Sequence, residues 1–264
     1  MERLLERIGL ETMPPADAGG LHELHRAYVG SVPYEALAAQ LGEGAPLDAG
    51  ELTARVVAGR GGYCFEVNTV LHALLWAAGF EVERRQANVN ESELTNHMAL
   101  VVTVDGEHFL ADAGLGEGPL DPVPLADGVR TPGPLSWAVE RLEDGWRLTQ
   151  HEYGSISGFT FGDEPSGLDA FQPHHHRLSS MPESGFVQTL VVQRPYEDRI
   201  VTLRSRTLSA DGPGLRERVV LPDAPAFAAA LRHEFGIDPD VLGEERMDRL
   251  WARACAQHEA FVTH

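Results

Sequence analysis

Three side chains in this sequence have the types and spacing for thiol-based group transfer: Cys64, His97 and Asp112. Cys64 stands in Arg60-Gly61-Gly62-Tyr63-Cys64-Phe65-Glu66-Val67-Asn68, behind a glycine pair and at the mouth of an apolar helical repeat. A thiolate is the nucleophilic form of cysteine, and the unpaired N–H groups and dipole of a helix N-terminus favour that anion. Gly61 and Gly62 let the backbone approach closely and offer N–H donors to an oxyanion. A free cysteine is otherwise a small buried hydrophobe, which is the reading for Cys255 on the amphipathic stretch 250–260.

His97 and Asp112 flank the pair Asp105-Gly106, a strong hairpin signal between alternating apolar runs. If those two residues are the turn, Val104 faces Glu107, His97 faces Gly114 and Asp112 faces Ala99. Parity then puts His97 and Asp112 on one face as diagonal neighbours, roughly 7–8 Å apart at the backbone and within side-chain reach. A bulge between them would spoil this register. So placed, His97 takes a proton from Cys64, and Asp112 fixes the imidazole tautomer and stabilises the imidazolium. Taken singly, His97 is an ordinary hairpin histidine and Asp112 a solvated carboxylate; together with Cys64 they make a nucleophile, a base and an orienting acid.

The elements that must position them change period near residue 80. The segments 2–8, 21–29, 52–58 and 64–78 read as helices, the last apolar all round and therefore central, with Gly79 to end it. From Val82 the period becomes two. A second turn signal at Asp144-Gly145 and runs through 148 and 156–161 predict an antiparallel sheet or small barrel, with 114–134 a long Gly- and Pro-rich loop. Segments 186–192 and 200–208 read as strands, and 224–235 and 244–261 as closing helices, the first capped by Gly236.

Composition narrows the chemistry. The 264 residues carry a formal charge of −19, which disfavours nucleic acid and anionic membranes as partners. All 21 basic residues are arginine, so Schiff-base chemistry, a pyridoxal-phosphate lysine and a Walker-type phosphate loop are excluded. No apolar run approaches the ~20 residues of a membrane span, the N-terminus lacks a signal peptide's apolar segment, and two cysteines make no disulfide framework; a reducing, cytoplasmic setting is expected. His174-His175-His176 reads as a polar loop, because adjacent residues of an extended segment point apart and no further ligand set stands nearby; no metal is expected. Arg194, Arg199, Arg204 and Arg206 form a basic cluster diluted by Glu197 and Asp198. With the histidine run, it is a weak candidate for holding the phosphates of a ligand.

At these residues the chain resembles the arylamine N-acetyltransferases. That family's pattern is Arg-Gly-Gly-x-Cys-x-Glu-x-Asn, then a His, then a strand ending Asp-x-Gly-x-Gly, met here by 60–68, His97 and Asp112-Ala113-Gly114-Leu115-Gly116. Val32-Pro33-Tyr34-Glu35-Ala36-Leu37 is similar to its Val-Pro-Phe-Glu-Asn-Leu segment, and 178–186, through Ser179, Ser180 and Phe186, to its Ser-Thr-x-Pro-x-Ser-x-Phe stretch. The resemblance implies an α+β fold. Its parts would be an N-terminal helical domain (1–80), an antiparallel β-barrel domain (81–185) and a C-terminal α/β lid (186–264), around a cysteine-protease-like core.

The implied chemistry is ping-pong. Cys64 takes an acyl group from acetyl-CoA or another acyl thioester and hands it to an arylamine or arylhydrazine, with no permanently bound cofactor. Gly114, Gly116, Ser179 and Ser180 would then flank the acyl donor, and Tyr34, Leu115 and Phe186 the acceptor; Glu66 and Asn68 would be structural support. Ala36 replaces the usual Asn, Met181 a common His, and Leu115 the usual Phe, which implies a wider pocket and acyl groups larger than acetyl. Similar proteins in antibiotic pathways act as amide synthases, joining a polyketide thioester to an aromatic amine. A thioester hydrolase or transglutaminase-like enzyme, and a binding protein that keeps the site without turnover, are the competing classes.

Overall fold

The computed structural model describes residues 1–263. Its N-terminal part holds α1 (Glu2–Arg7), α2 (Ala18–Ser31), the two-residue strand β1 (Tyr34–Glu35), α3 (Leu37–Leu41), α4 (Ala49–Val57) and α5 (Cys64–Ala77). Asp17 and Asp48 cap α2 and α4 by accepting the N–H groups of Gly20 and Glu51. The apolar helix expected at 64–78 is α5, followed by Gly79 at φ 94°. Val67, Val70, Leu71 and Leu74 are each at most 1% exposed, so α5 is the central helix of the first core. Each such side chain contributes about 1.5–3 kcal/mol by leaving water.

Next come β2 (Glu81–Val89), β3 (His97–Val104), β4 (Glu107–Leu110), β5 (Val123–Pro124), β6 (Ala138–Leu142), β7 (Gly145–Thr149) and β8 (Gly158–Gly162). They form a seven-stranded sheet in the order β5-β4-β3-β2-β8-β7-β6. The expected barrel is not closed: β5 and β6 are its two edges. One face of these strands nevertheless gathers Ala87, Val101, Leu110, Val139, Leu148 and Phe159 around the buried Trp137. Twist therefore curls the sheet about a core without its edges meeting.

Asp105 (φ 52°) and Gly106 (φ 85°) make the predicted two-residue turn, and the register Val104↔Glu107 through Val101↔Leu110 follows from it. The second turn is displaced by one residue: Leu142 pairs with Gly145, so Glu143 and Asp144 are the turn and Gly145 opens β7. Gly145 is needed there because a Cβ would lie 2.1 Å from the Phe161 carbonyl oxygen of the adjacent strand.

Strand β3 is buried on both faces. Met98, Leu100 and Val102 point to the α5 core, and Ala99 and Val101 to the core around Trp137. Beyond β8, a 3-10 turn at Leu168–Phe171 leads into α6 (Gln172–Ser180) and α7 (Gly185–Gln188). Phe171 and Leu178 join the first core. The strand expected from 186 begins only at Val191.

Strands β9 (Val191–Pro195), β10 (Ile200–Arg204), β11 (Thr207–Gly212) and β12 (Leu215–Val220) form a second antiparallel sheet, extended by β1 through Tyr34↔Gln193 and Glu35↔Val192. Helices α8 (Ala224–Phe235), α9 (Pro239–Leu242) and α10 (Glu244–Val262) cover it, with α8 ending at Gly236, φ 67°. Leu37 and Leu41 of α3 pack into this third core, so the cores cross the boundaries expected at 80 and 185. No described helix is long and apolar enough to cross a membrane.

Candidate active site

Cys64 is the first residue of α5, on a turn fixed by the Tyr63 N–H donating to Glu66 Oε2 at 3.2 Å. Arg55 holds Glu66 in turn at 2.9 Å. One helical turn past Cys64, Asn68 Nδ2 donates to Asp112 Oδ1 at 2.7 Å and to the Met98 carbonyl at 2.6 Å. Its Oδ1 accepts the Ala113 N–H at 3.0 Å. Residues four apart share a helix face, so α5 carries both the sulfur and the clamp on the carboxylate.

The ladder of β3 and β4 stops at Leu110, with one further bond from the Ala111 N–H to the Leu100 carbonyl. The facing pairs expected for His97 and Asp112 therefore do not form, yet the parity persists. His97 Nε2 lies 2.6 Å from Asp112 Oδ2, and both residues are 1% exposed. A carboxylate only accepts, so Nε2 carries the hydrogen and Nδ1 is left as the basic nitrogen. Cys64 and His97 line the same cavity of about 350 Å³, where the thiol donates to the Asn96 carbonyl with S···O 3.5 Å.

Burial alone would raise the Asp112 carboxyl, but the charge of His97 and the hydrogen bonds from His97, Asn68 and the Gly114 N–H hold it below the usual range. Cys64 goes the other way. Burial pushes its thiol up, the Asp112 and Glu66 carboxylates add to this, and hydrogen bonds from the Phe65 and Met98 backbone oppose it. The helix terminus favours the anion, as expected from sequence, but burial opposes it. A helix dipole contributes about 0.3–2 kcal/mol, whereas an unpaired buried charge costs several. The sulfur anion needs a cation beside it.

A residue not anticipated from sequence anchors the acid. His25 of α2 accepts the Asp112 N–H at Nε2 (3.0 Å) and donates from Nδ1 to the Leu120 carbonyl (2.9 Å). Burial lowers its pKa, and a neutral ring is what this pair of bonds requires. Its sequence signal is faint: of the two histidines of α2, His22 is exposed and His25 falls on the face of Leu21, Leu24 and Tyr28.

The predicted residues divide. Gly114, Gly116, Tyr34, Leu115 and Phe186 all line the cavity. Gly114 is obligatory, since a Cβ would lie 2.9 Å from Cys64 Cα and 2.7 Å from Asn68 Nδ2. Ser179 and Ser180 do not line it. They end α6 beside Gly44, with their hydroxyls 3.1 Å apart.

Gly61 and Gly62 are likewise outside the cavity walls. A Cβ on Gly61 would lie 1.8 Å from the Pro33 carbonyl oxygen, and one on Gly62 2.7 Å from Glu66 Cβ. The glycine pair thus serves the packing of β1 against α5 rather than an oxyanion. The histidine run is helical, not a loop. His175 is buried and accepts the Tyr63 hydroxyl at 2.5 Å while donating to the Ala45 carbonyl at 2.6 Å. Of the four arginines, only Arg204 reaches the cavity. Arg194 and Arg199 lie over Tyr196, and Arg206 over Trp251.

Asn96, Glu117, Ser155, Thr189 and Gln193 also line the cavity, and no sequence pattern marks them. A second cleft of about 1120 Å³ lies against the β9–β12 sheet and shares Glu117, Ser155, Thr189, Gln193 and Arg204 with the first. Arg216 and Arg218 line its far part.

A family model described as N-acetyltransferase matches residues 17–242. The arylamine N-acetyltransferase of Mycolicibacterium smegmatis is 33% identical over 261 residues, covering 93% of this chain and 95% of that protein. Proansamycin X synthase of Amycolatopsis mediterranei is 27% identical over 62% of this chain and 68% of its own length. The solved structure of Mycobacterium marinum arylamine N-acetyltransferase in complex with CoA superposes with a TM-score of 0.85 at 26% identity, covering 95% of this chain and 96% of that one. The chain is an acyltransferase that belongs to the arylamine N-acetyltransferase family.

Proposed function

We propose that the enzyme moves an acyl group, acetyl in the simplest case, from coenzyme A to the nitrogen of an arylamine or arylhydrazine through an acyl-Cys64 intermediate. The observation that carries this reading is His97 Nε2 at 2.6 Å from a buried Asp112 carboxylate, on the wall of the cavity that holds Cys64. In the first half-reaction the thiol proton passes to His97 Nδ1 while the sulfur attacks the thioester carbonyl. The sulfur–carbon bond forms, the bond to coenzyme A breaks, and its thiolate leaves with the proton from His97. In the second, the amine nitrogen attacks the acyl-sulfur carbonyl and gives its proton to His97, which returns it to the Cys64 sulfur. Thiolate and imidazolium thus arise together and neutralise one another, the condition a buried thiol with a raised pKa imposes. Asp112, held low, stays ionised and supports the imidazolium.

The acyl donor enters on this reading through the larger cleft, whose arginines suit anionic phosphates. Initial rates against both substrates test the scheme. Parallel double-reciprocal lines support it; lines that converge, or thioester hydrolysis indifferent to amine, contradict it. A second reading, amide synthesis from a polyketide thioester, is favoured by the likeness to proansamycin X synthase and by the 1120 Å³ cleft beside the catalytic cavity. It uses the same three residues. A preference for long acyl thioesters over acetyl-CoA would select it.

A further inference from the structure

Glu117 takes no part in the triad, yet it is a carboxylate only 5% exposed that lines both the catalytic cavity and the larger cleft. Its Oε1 accepts the Ser155 N–H at 2.9 Å, the Ser155 hydroxyl at 3.0 Å and the Ile156 N–H at 3.1 Å. Its Oε2 accepts the Ser155 N–H at 2.9 Å, and its carbonyl accepts Gln150 Nε2 at 3.2 Å. One residue therefore ties the loop that follows Asp112 to the connection between β7 and β8, residues 150–157.

The walls of the passage between the two spaces are unequal. Gln193 and Arg204 lie on β9 and β10, which pair along their whole length. Ser155 instead lies on a connection without ladder bonds, anchored at its ends by Gln150 N–H to the Ser157 carbonyl (3.0 Å) and Ser157 N–H to Asn90 Oδ1 (2.8 Å). Between those anchors, Glu117 supplies the bonds that hold Ser155 and Ile156 in place. Ile156 packs on the core around Trp137 and His151 meets that ring edge-on, but Ser155 is exposed and donates its hydrogen bonds to Glu117, so its local stability depends on that carboxylate.

We propose that Glu117 is a specificity-determining latch: by holding Ser155 and Ile156 across the junction of cavity and cleft, it sets the girth of the group that reaches Cys64. The inference rests on the acyl-transfer reading for its substrates but not for its test. Releasing the latch widens the junction and weakens discrimination by size; it does not alter the imidazole or the carboxylate of Asp112.

The test compares Cys64 alkylation by iodoacetamide and by a bulky aryl maleimide, followed by mass spectrometry of the Cys64 peptide so that Cys255 does not contribute. Glu117→Ala raises the maleimide rate relative to the iodoacetamide rate by about tenfold, the scale at which pocket walls discriminate by size. Glu117→Gln keeps the shape but opposes one of its amide hydrogens to the donors of residue 155, and shifts the ratio the same way by less. Ser155→Ala removes one donor and serves where the alanine variant at 117 does not fold. With octanoyl- and acetyl-CoA, the ratio of kcat/KM rises in favour of octanoyl, and the change lies in KM. An unchanged alkylation ratio in folded variants overturns the latch, as does an equal fall for both reagents, which a merely structural role would give. A shifted alkylation ratio with no acyl turnover by any variant supports the latch and overturns the acyl-transfer reading instead.

Discussion

Asp112→Asn isolates the role of the carboxylate with little change of shape. Asp112 Oδ1 accepts from Asn68 Nδ2 and from the Gly114 N–H, each at 2.7 Å, so the asparagine must keep its oxygen on that side. Its amide nitrogen then stands opposite His97 Nε2, where the carboxylate oxygen now accepts at 2.6 Å. Two donors cannot face each other at that distance, so the imidazole moves its hydrogen to Nδ1. On the proposed mechanism Nδ1 receives the Cys64 proton, and in the variant it becomes a donor. The wrong tautomer costs about 10⁴ in a Ser-His-Asp enzyme, or roughly 5.5 kcal/mol of barrier. The same loss is expected in the rate of Cys64 acylation, read by rapid quench and intact mass after mixing with acetyl-CoA. The rate of the variant should climb with pH as hydroxide takes over removal of the thiol proton. A loss smaller than about tenfold, or a flat pH profile, would refute the tautomer argument.

Asn68→Ala removes the donor to Asp112 Oδ1 and the Met98 carbonyl and the acceptor of the Ala113 N–H. Asp112 Oδ1 keeps the Gly114 N–H, so at about 1–3 kcal/mol for each of the two other groups left unpaired, urea unfolding should show a loss of roughly 2–6 kcal/mol, together with a fall in kcat. Gly114→Ala forces a Cβ against Cys64 Cα at 2.9 Å and should cost about 1–3 kcal/mol by overpacking, with acylation falling more than the melting temperature suggests. His25 and His175 are both lowered by burial, so the unfolded chain takes up protons near pH 6.5 while these two stay neutral in the fold. Their contribution to stability should therefore be constant above that pH and fall below it, by up to about 1.4 kcal/mol per pH unit for each ring. A melting temperature flat from pH 7.5 down to 5.5 would contradict this. Asp112 and Glu35, both held low, act in the same direction in a lower window. Their contribution is present above about pH 4 and is lost as pH falls through the folded pKa.

Much of the site was legible because it rests on local rules. Asp105-Gly106 fixed the turn, and a period of two carried His97 and Asp112 to one face even though the ladder ends at Leu110. Helices α5 and α8 end at glycines in left-handed conformation, where their apolar periods run out. What failed depends on partners distant in sequence. Nothing local says that Gly61 meets the Pro33 carbonyl, that β1 joins β9, or that α2 sends His25 to the Asp112 N–H. The burial that raises the Cys64 thiol was not legible, because it comes from packing distant in sequence, whereas the helix terminus and the imidazole partner are local signals. The histidine run was misjudged because its helix is short, opens on Pro173 and is anchored by Tyr63 and Ala45 rather than by an apolar stripe. Fold-level features implied by family likeness fared unevenly: the α+β plan holds, while the barrel is an open sheet.

The most direct measurement is mass spectrometry of the protein after brief exposure to acetyl-CoA, with peptide mapping, then again after adding an arylamine. One acetyl group should appear on Cys64 and leave as the acetylated amine forms. Neither event should occur in Cys64→Ala. A label on any other residue, or turnover that persists without the Cys64 sulfur, would contradict the account.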